Sequence, residues 1–321
     1  MLNQKQKKKF VVSHAPFWHN GNCICERSYH MVLAALPAIL AGIACYGAPA
    51  LGVVSLAVAS AILWEAAFNC VAKQPVAIAD GNAAVIGIVL AMVLPATAPW
   101  WLVLMGTFLA VVIGKHIFGG IGGNPFNPVA IAVAIMMLSW SGYFDFDEAL
   151  RHYEFEEFAA VYPLAAVKNF GVSAAESFTS CDLLMGKQMG GIGATFGLGL
   201  LLGGLYLIVR GFIRWEISLS FVAGVFVTAM LFNISDPVRY AGPVFHLFTG
   251  YTLIGAFFLA TEDSSSPVNL VPMLLYGALG GIMTVLIRNL GVYVDGVIFA
   301  ILIINLLNPL LDKIRPKALG A

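Results

Sequence analysis

The chain has 321 residues, 60% of them hydrophobic and only 11% charged. Soluble domains carry about 45–50% apolar and about 25% charged residues, so this balance excludes a water-solvated globular domain and indicates a chain solvated mostly by lipid. The formal net charge of +0 excludes little; where the charges fall is informative.

The chain opens on a basic stretch, "MLNQKQKKKF", and its first long apolar run begins only near Met31, which predicts no cleaved signal peptide. Apolar runs then follow near 31–48, 51–71, 83–96, 100–118, 128–140, 194–210, 217–232, 245–260, 268–287 and 294–311. A bilayer core of about 30 Å takes roughly 20 apolar helical residues, and fewer for half-buried pieces. These runs are too long for barrel strands, and backbone polar groups in lipid must be satisfied internally, so helices are expected. The predicted fold is an all-α integral membrane protein with about ten transmembrane helices. Its divisions are an amino-terminal segment (1–30), a first membrane half (31–140), an extracytoplasmic loop (141–193), a second membrane half (194–311) and a tail (312–321). Trp100, Trp101, Trp140 and Trp215 stand at run ends and read as an aromatic belt.

Orientation follows from the basic residues. With the amino terminus in the cytoplasm, Lys5, Lys7, Lys8, Lys9, Arg27, Lys73, Lys115, Arg210, Arg214, Lys313, Arg315 and Lys317 lie inside. Arg151, Lys168, Lys187, Arg239 and Arg288 lie outside, so both termini are expected to be cytoplasmic. The acidic stretch "DFDEALRHYEFEEF" in the long loop reads as a solvated surface.

A weak repeat recurs at an offset of 168 residues, carrying Gly87 onto Gly255, Pro99 onto Pro267, Gly123 onto Gly291 and Asn127 onto Asp295. A shift of five helices reverses orientation, so inverted repeats are expected, with binding sites on broken helices at their interface.

Chemistry-bearing residues are few. In "GKHIFGGIGGNPFNPVAI" (Gly114 to Ile131), Gly119, Gly120, Gly122, Gly123 and two Asn-Pro steps interrupt two helices. Glycine allows close backbone approach, and proline disfavours helix before it, so this segment is a candidate ligand site for a planar polar ring system. The carboxylates Glu65, Asp80, Asp263 and Asp295, together with Glu262, fall within or at the ends of apolar runs. Intramembrane carboxylates suggest an ion or proton path; Asp80, Asp263 and Asp295 read equally as helix-end caps. His246 reads as an interfacial hydrogen-bonder. The pair Cys23 and Cys25 lacks the partners of a metal site, and no Walker loop, Rossmann fingerprint or nucleophile–base spacing is present.

Several segments together resemble the RnfD/NqrB family: "VSHAPFWHNGN", "DGNAAVIGIVLAMVLP", the glycine/Asn-Pro segment, "GLGLLLGGLYLI", "GAFFLATEDSSSP" and "DGVIFAILIINLLNPLLD". The resemblance spans nearly the whole chain. The short amino-terminal extension favours the D subunit of the Rnf complex over the longer B subunit of the sodium-pumping NADH:quinone oxidoreductase. It implies a non-autonomous, multi-pass subunit of an inner-membrane redox complex that couples ferredoxin/NAD electron transport to Na⁺ or H⁺ translocation. It implies ten helices in two inverted halves and a non-covalent flavin, riboflavin or FMN, for which Asn124, Asn127, Gly123 and Lys115 are the candidate contacts. It also implies a covalent FMN on an outward-facing Thr. In "ESFTSCDLL", Glu176 takes the acidic place of that motif, but Asp182 falls on the acceptor position and lacks the hydroxyl a phosphoester requires. Thr195, after Gly193 and Ala194, and Thr179 or Ser180 are the fallback acceptors. A flavin-free solute channel or transporter, and a scaffold whose redox groups lie on partner subunits, are the competing classes.

Overall fold

The computed structural model describes residues 24–73, 78–150 and 161–314. The basic amino terminus, the "VSHAPFWHNGN" segment, Arg151, most of the acidic stretch and the carboxy-terminal tail lie outside these residues, as do the side chains of Glu176 and Ser177.

The described residues are helical, with no strand among them. The helices are α1 (Ile24–Tyr46), α2 (Ala48–Val71), α3 (Asn82–Val93), α4 (Trp100–Phe108), α5 (Pro128–Ser139), α6 (Phe146–Ala149), α7 (Pro163–Phe170), α8 (Ser180–Met185), α9 (Gly197–Val209), α10 (Trp215–Ser235), α11 (Pro243–Phe248), α12 (Thr252–Ile254), α13 (Leu270–Leu290) and α14 (Val297–Leu311). A π-helical segment, Leu109–Lys115, prolongs α4, and a second, Gly255–Leu259, prolongs α12. Five stretches are long and apolar enough to cross a bilayer: α1, α2, Trp100–Phe118, α10 and α13. Four shorter apolar helices, α3, α5, α9 and α14, accompany them.

Long and short helices occupy different places. Residues Gly87 to Val93 of α3 are all buried, as are Gly255 to Leu259 and most of α5. By contrast α1, α2, α10 and α13 leave Leu33, Leu40, Leu51, Leu63, Leu219, Leu231 and Leu275 exposed. Apolar side chains at that density on the surfaces of long helices belong in hydrocarbon, as expected of a multi-pass membrane protein. Of the short helices, α3 and α5 lie deepest in the core.

Small residues bring the helices together. A Cβ at Gly203 of α9 would overlap the Ala34 carbonyl oxygen of α1, and one at Gly281 of α13 would overlap the Phe221 carbonyl oxygen of α10. Without a hydrophobic drive between helices in lipid, such close backbone approach supplies the dispersion contact.

The helices at the centre stop short, and their orphan carbonyls find specific partners. The predicted run 83–96 ends as helix at Val93 because Leu94, before Pro95, is extended (ψ 150°). The Met92 and Leu94 carbonyls then accept from Gly193 N (2.9 Å) and Ile192 N (3.0 Å) of the long loop. The Tyr251 hydroxyl donates to Val93 O at 3.0 Å. Helix boundaries also recur at the sequence offset. Moving 48–71 by 168 residues gives 216–239, against α10 at Trp215–Ser235; moving 128–139 gives 296–307, against α14 at Val297–Leu311.

At the α13–α14 link, Arg288 and Asp295 form a buried ion pair (3.0 Å). Arg288 also donates to His246 O (2.8 Å), Thr249 O (3.2 Å) and Thr252 Oγ1 (2.8 Å). Asp295 accepts from Tyr251 N (2.6 Å) and Val297 N (3.1 Å). His246 is buried, with no partner for either ring nitrogen, rather than the interfacial hydrogen-bonder its sequence position suggests; its carbonyl carries its contacts.

Two outcomes follow from this packing. Gly203→Val forces α1 and α9 apart and lowers stability by about 1–3 kcal/mol, seen as a lower thermal midpoint in detergent. Arg288→Leu strands the Asp295 carboxylate and costs about 3–5 kcal/mol, whereas replacing both residues by apolar ones recovers most of that loss.

Candidate functional site

A cavity of about 760 Å³ lies where both halves of the chain meet. Its walls come from the start of α1 (Ile24, Arg27, Ser28, Met31), the start of α3 (Asn82, Val85, Ile86, Val89) and the glycine/Asn-Pro segment (Ile121, Gly122, Asn124, Asn127 to Val129). The second half contributes Phe212, Arg214, Phe258, Leu259, Glu262 to Ser264, and Asn308 and Asp312 of the α14 end. Residues from the start of α1, the end of the α4 stretch, the α9–α10 link and the end of α14 therefore share one end of the bundle.

The glycine-rich segment reaches the cavity through backbone that other residues rarely adopt. Gly119, Gly120 and Gly122 have φ of 105°, 91° and 88°, and a Cβ at any of the three would meet open space. Their role is therefore conformational rather than steric. Gly123 is different: a Cβ there would overlap Phe118 O, so it closes the turn and does not line the cavity.

Asn127 joins the halves. Its Oδ1 accepts from Val129 N (2.9 Å) and Ala130 N (3.0 Å), capping α5, while its Nδ2 donates to Leu259 O (3.0 Å) at the end of the second π segment. Asp295 accepts from Val297 N in the same way at the start of α14, 168 residues on. Asn124 donates to Phe126 O and to Glu262 Oε1, both at 3.0 Å. Glu262 also accepts from the Ser264 and Ser265 hydroxyls, which fixes the chain just after the π segment. Arg27 of α1 forms an ion pair with Asp263. Asn308 donates to Ser265 O at 3.0 Å, but its buried Oδ1 has no partner.

The four candidate flavin contacts thus divide: Asn124, Asn127 and Lys115 line the cavity, and Gly123 supports it from behind. Of the carboxylates, Glu262 and Asp263 line it. Asp80 caps Asn82 N (3.0 Å) beside it, and Glu65 touches it through Lys115 (2.7 Å). Asp295 lies at the far end. Sequence reasoning left out Arg27 and Asn308 as site residues, and named Glu262 only with the run-end carboxylates. A signal for Asn308 was present, since Asn308-Pro309 repeats the Asn-Pro step of Asn124-Pro125 and Asn127-Pro128.

The segment "ESFTSCDLL" lies far from this cavity. Thr179 is the N-cap of α8, accepting from Asp182 N (3.2 Å), and its hydroxyl donates to the Asp182 carboxylate. Thr179, Ser180 and Asp182 are exposed or nearly so, whereas Thr195 is buried, with its carbonyl accepting from Gln188 (3.1 Å). This loop meets the other end of α1, where the Tyr46 hydroxyl donates to Gly190 O (3.2 Å). The stretch of α1 from Met31, the last of its cavity residues, to Tyr46 separates this loop contact from the cavity wall by about 22 Å.

The sequence profile of the NQR2, RnfD, RnfE family matches residues 11–320. The chain is 33% identical to the D subunit of the ion-translocating oxidoreductase complex of Aeromonas salmonicida, over 97% of this chain and 99% of that protein. It is also 33% identical to the D subunit of the proton-translocating ferredoxin:NAD(+) oxidoreductase complex of Clostridium ljungdahlii, over 97% of this chain and 96% of that protein. With a profile match and full-length likeness of this extent, the chain belongs to the NQR2, RnfD, RnfE family.

Proposed function

We propose that this chain is the D-type membrane subunit of an Rnf-like complex, which couples electron transport between ferredoxin and NAD to Na⁺ or H⁺ translocation. The likeness to two proteins named as D subunits, each over nearly its full length, supports this reading over a B subunit of the quinone-reducing pump. The chain works with partner subunits in the cytoplasmic membrane, with both termini inside; the excess of basic residues at the cavity end supports this orientation.

The ten-span, inverted-repeat architecture belongs to the same proposal. Recurrence of helix boundaries at one offset supports it, as does the shared capping of α5 by Asn127 and α14 by Asp295. On this reading the membrane halves are 31–140 and 194–311, with 141–193 outside and the cavity at their interface.

The cavity is the seat of a non-covalent flavin, riboflavin or FMN. Its volume lies within the roughly 300–1,000 Å³ of small-molecule sites. Apolar walls at Met31, Val89, Phe212 and Leu259 suit a planar ring, and the unpartnered Asn308 Oδ1 is an acceptor for a ring N–H. When bound, flavin supplies a step between one- and two-electron chemistry. The chain's own residues orient it and balance its charge. Asn124 and Asn127 hold the wall rigid, and Lys115 brings a positive charge to its edge. Glu65, Asp80 and Asp263 form the cavity end of the ion route, with Asp295 at the other end.

We assign no covalent flavin to "ESFTSCDLL". Asp182 stands where a hydroxyl is required, and the Thr179 hydroxyl is tied to that carboxylate.

Flavin content of the purified complex tests the main reading. Asn124→Ala combined with Asn127→Ala removes the cap, the Leu259 bridge and the Glu262 tether, and strongly depletes flavin absorbance associated with this chain. A wild-type complex with no such absorbance favours the transporter or scaffold class instead. Intact-mass spectrometry of the separated chain is expected to give the unmodified mass; an added FMN phosphoryl mass, mapped to Thr179, Ser180 or Thr195, would reverse the assignment for the loop.

A further inference from the structure

Glu65, Lys115 and His116 form a charged group inside the helical bundle. Glu65 and Lys115 are each only 2% exposed. Lys115 Nζ donates to Glu65 Oε1 at 2.7 Å, while Glu65 Oε2 is buried and has no partner. His116 stacks on Phe68, with ring centroids 4.5 Å apart, and its Nε2 stands 3.7 Å from Glu65 Oε1, outside hydrogen-bonding distance. Lys115 also lines the cavity. One ammonium therefore stands between a buried carboxylate and the cavity wall.

The ligation of this carboxylate is incomplete. A carboxylate offers about four acceptor sites, and its burial is costly unless they are used. Asp295, equally buried, accepts from Arg288, Tyr251 N and Val297 N, which closes it. Glu65 has one full-strength hydrogen bond, and it comes from the tip of a flexible four-carbon stem. That stem leaves a π-helical segment, a rare backbone form that is frequent at functional sites. The segment is held just before Lys115, where a Cβ on Gly114 would stand 2.8 Å from Pro128 Cα. The ammonium thus ends a flexible stem on an anchored base.

We propose that the Glu65 carboxylate is a seat for a monovalent cation, Na⁺ or H⁺, which the Lys115 ammonium occupies in the conformation seen here. Negative charge arriving in the cavity draws Lys115 towards it and opens the seat. This rests on the reading of the cavity as a redox site. The charges balance: one electron enters the cavity, one ammonium turns to face it, and one cation enters to neutralise Glu65. With Na⁺ no covalent bond forms or breaks; with H⁺ one O–H bond forms on the Glu65 carboxylate and breaks again when the proton leaves. When the electron leaves, Lys115 returns and displaces the cation. Electron arrival and cation uptake are thereby coupled through a single side chain.

The test uses the purified complex bearing Lys115→Met, Glu65→Gln or both, with Lys115→Gln in reserve should Lys115→Met not accumulate. Radiosodium binding and the infrared carbonyl band of a protonated carboxyl are measured on each, together with flavin absorbance. Removing an opposite charge at this distance changes proton or cation affinity by about tenfold to a thousandfold. Lys115→Met is therefore expected to bind Na⁺ at least about tenfold more tightly than wild type, or to gain a carboxyl band, and the double variant to lose the gain. A Na⁺ gain without the band identifies Na⁺ as the occupant; a band insensitive to Na⁺ identifies the proton. If Lys115→Met retains flavin and shows neither gain, or if the double variant keeps the gain, the proposed seat is wrong while the flavin reading stands. If flavin is absent from wild type but the gain depends on Glu65, the seat stands and the redox trigger fails.

Discussion

A helix that stops inside a membrane leaves carbonyls with no water to accept from, and that constraint organises this protein. Each unsatisfied backbone group in hydrocarbon costs several kcal/mol, so a break is tolerated only where something reaches it. For α3 the Gly193 amide, the Tyr251 hydroxyl and the Ile192 amide reach Met92, Val93 and Leu94. For the α12 stretch the Asn127 amide reaches Leu259. Tyr251 and Asn127 each lie in the opposite half of the sequence from the carbonyl they satisfy. The breaks thus hold the two halves together, and one forms the wall of the cavity.

Two buried ion pairs, one towards each end, show how differently a charge can be held. Arg288 and Asp295 are surrounded by further donors and acceptors at the link they lock. Such saturation fits a structural role. Glu65 and Lys115 share one short contact and leave an oxygen without a partner. A buried charge with an open acceptor is costly, and this one lies next to the cavity that Lys115 lines. Burial is the same at both sites; completeness of ligation distinguishes them.

Much of this was legible in sequence. Long apolar runs gave α1, α2, α10 and α13, because lipid solvation demands length and composition that no other environment does. The Asn-Pro steps marked the cavity wall, because proline stops one helix and permits the next to start with a side-chain cap. Other features were not legible. Nothing in the sequence indicated that Asn127 Nδ2 faces Leu259 or that Asn124 faces Glu262, contacts spanning more than a hundred residues. His246 looked interfacial because it opens an apolar run, yet the fold buries its ring and uses its carbonyl.

Composition, run length and the Gly and Pro breaks by themselves determined a helical membrane chain with interrupted central helices, since these follow from the solvent and from local backbone sterics. The tertiary structure decided which carbonyl each break offers and which donor meets it. It also decided that Lys115 faces both Glu65 and the cavity. Hydrogen-bond partners are chosen by distances of about 3 Å, and only the packed fold sets those for residues far apart in the chain.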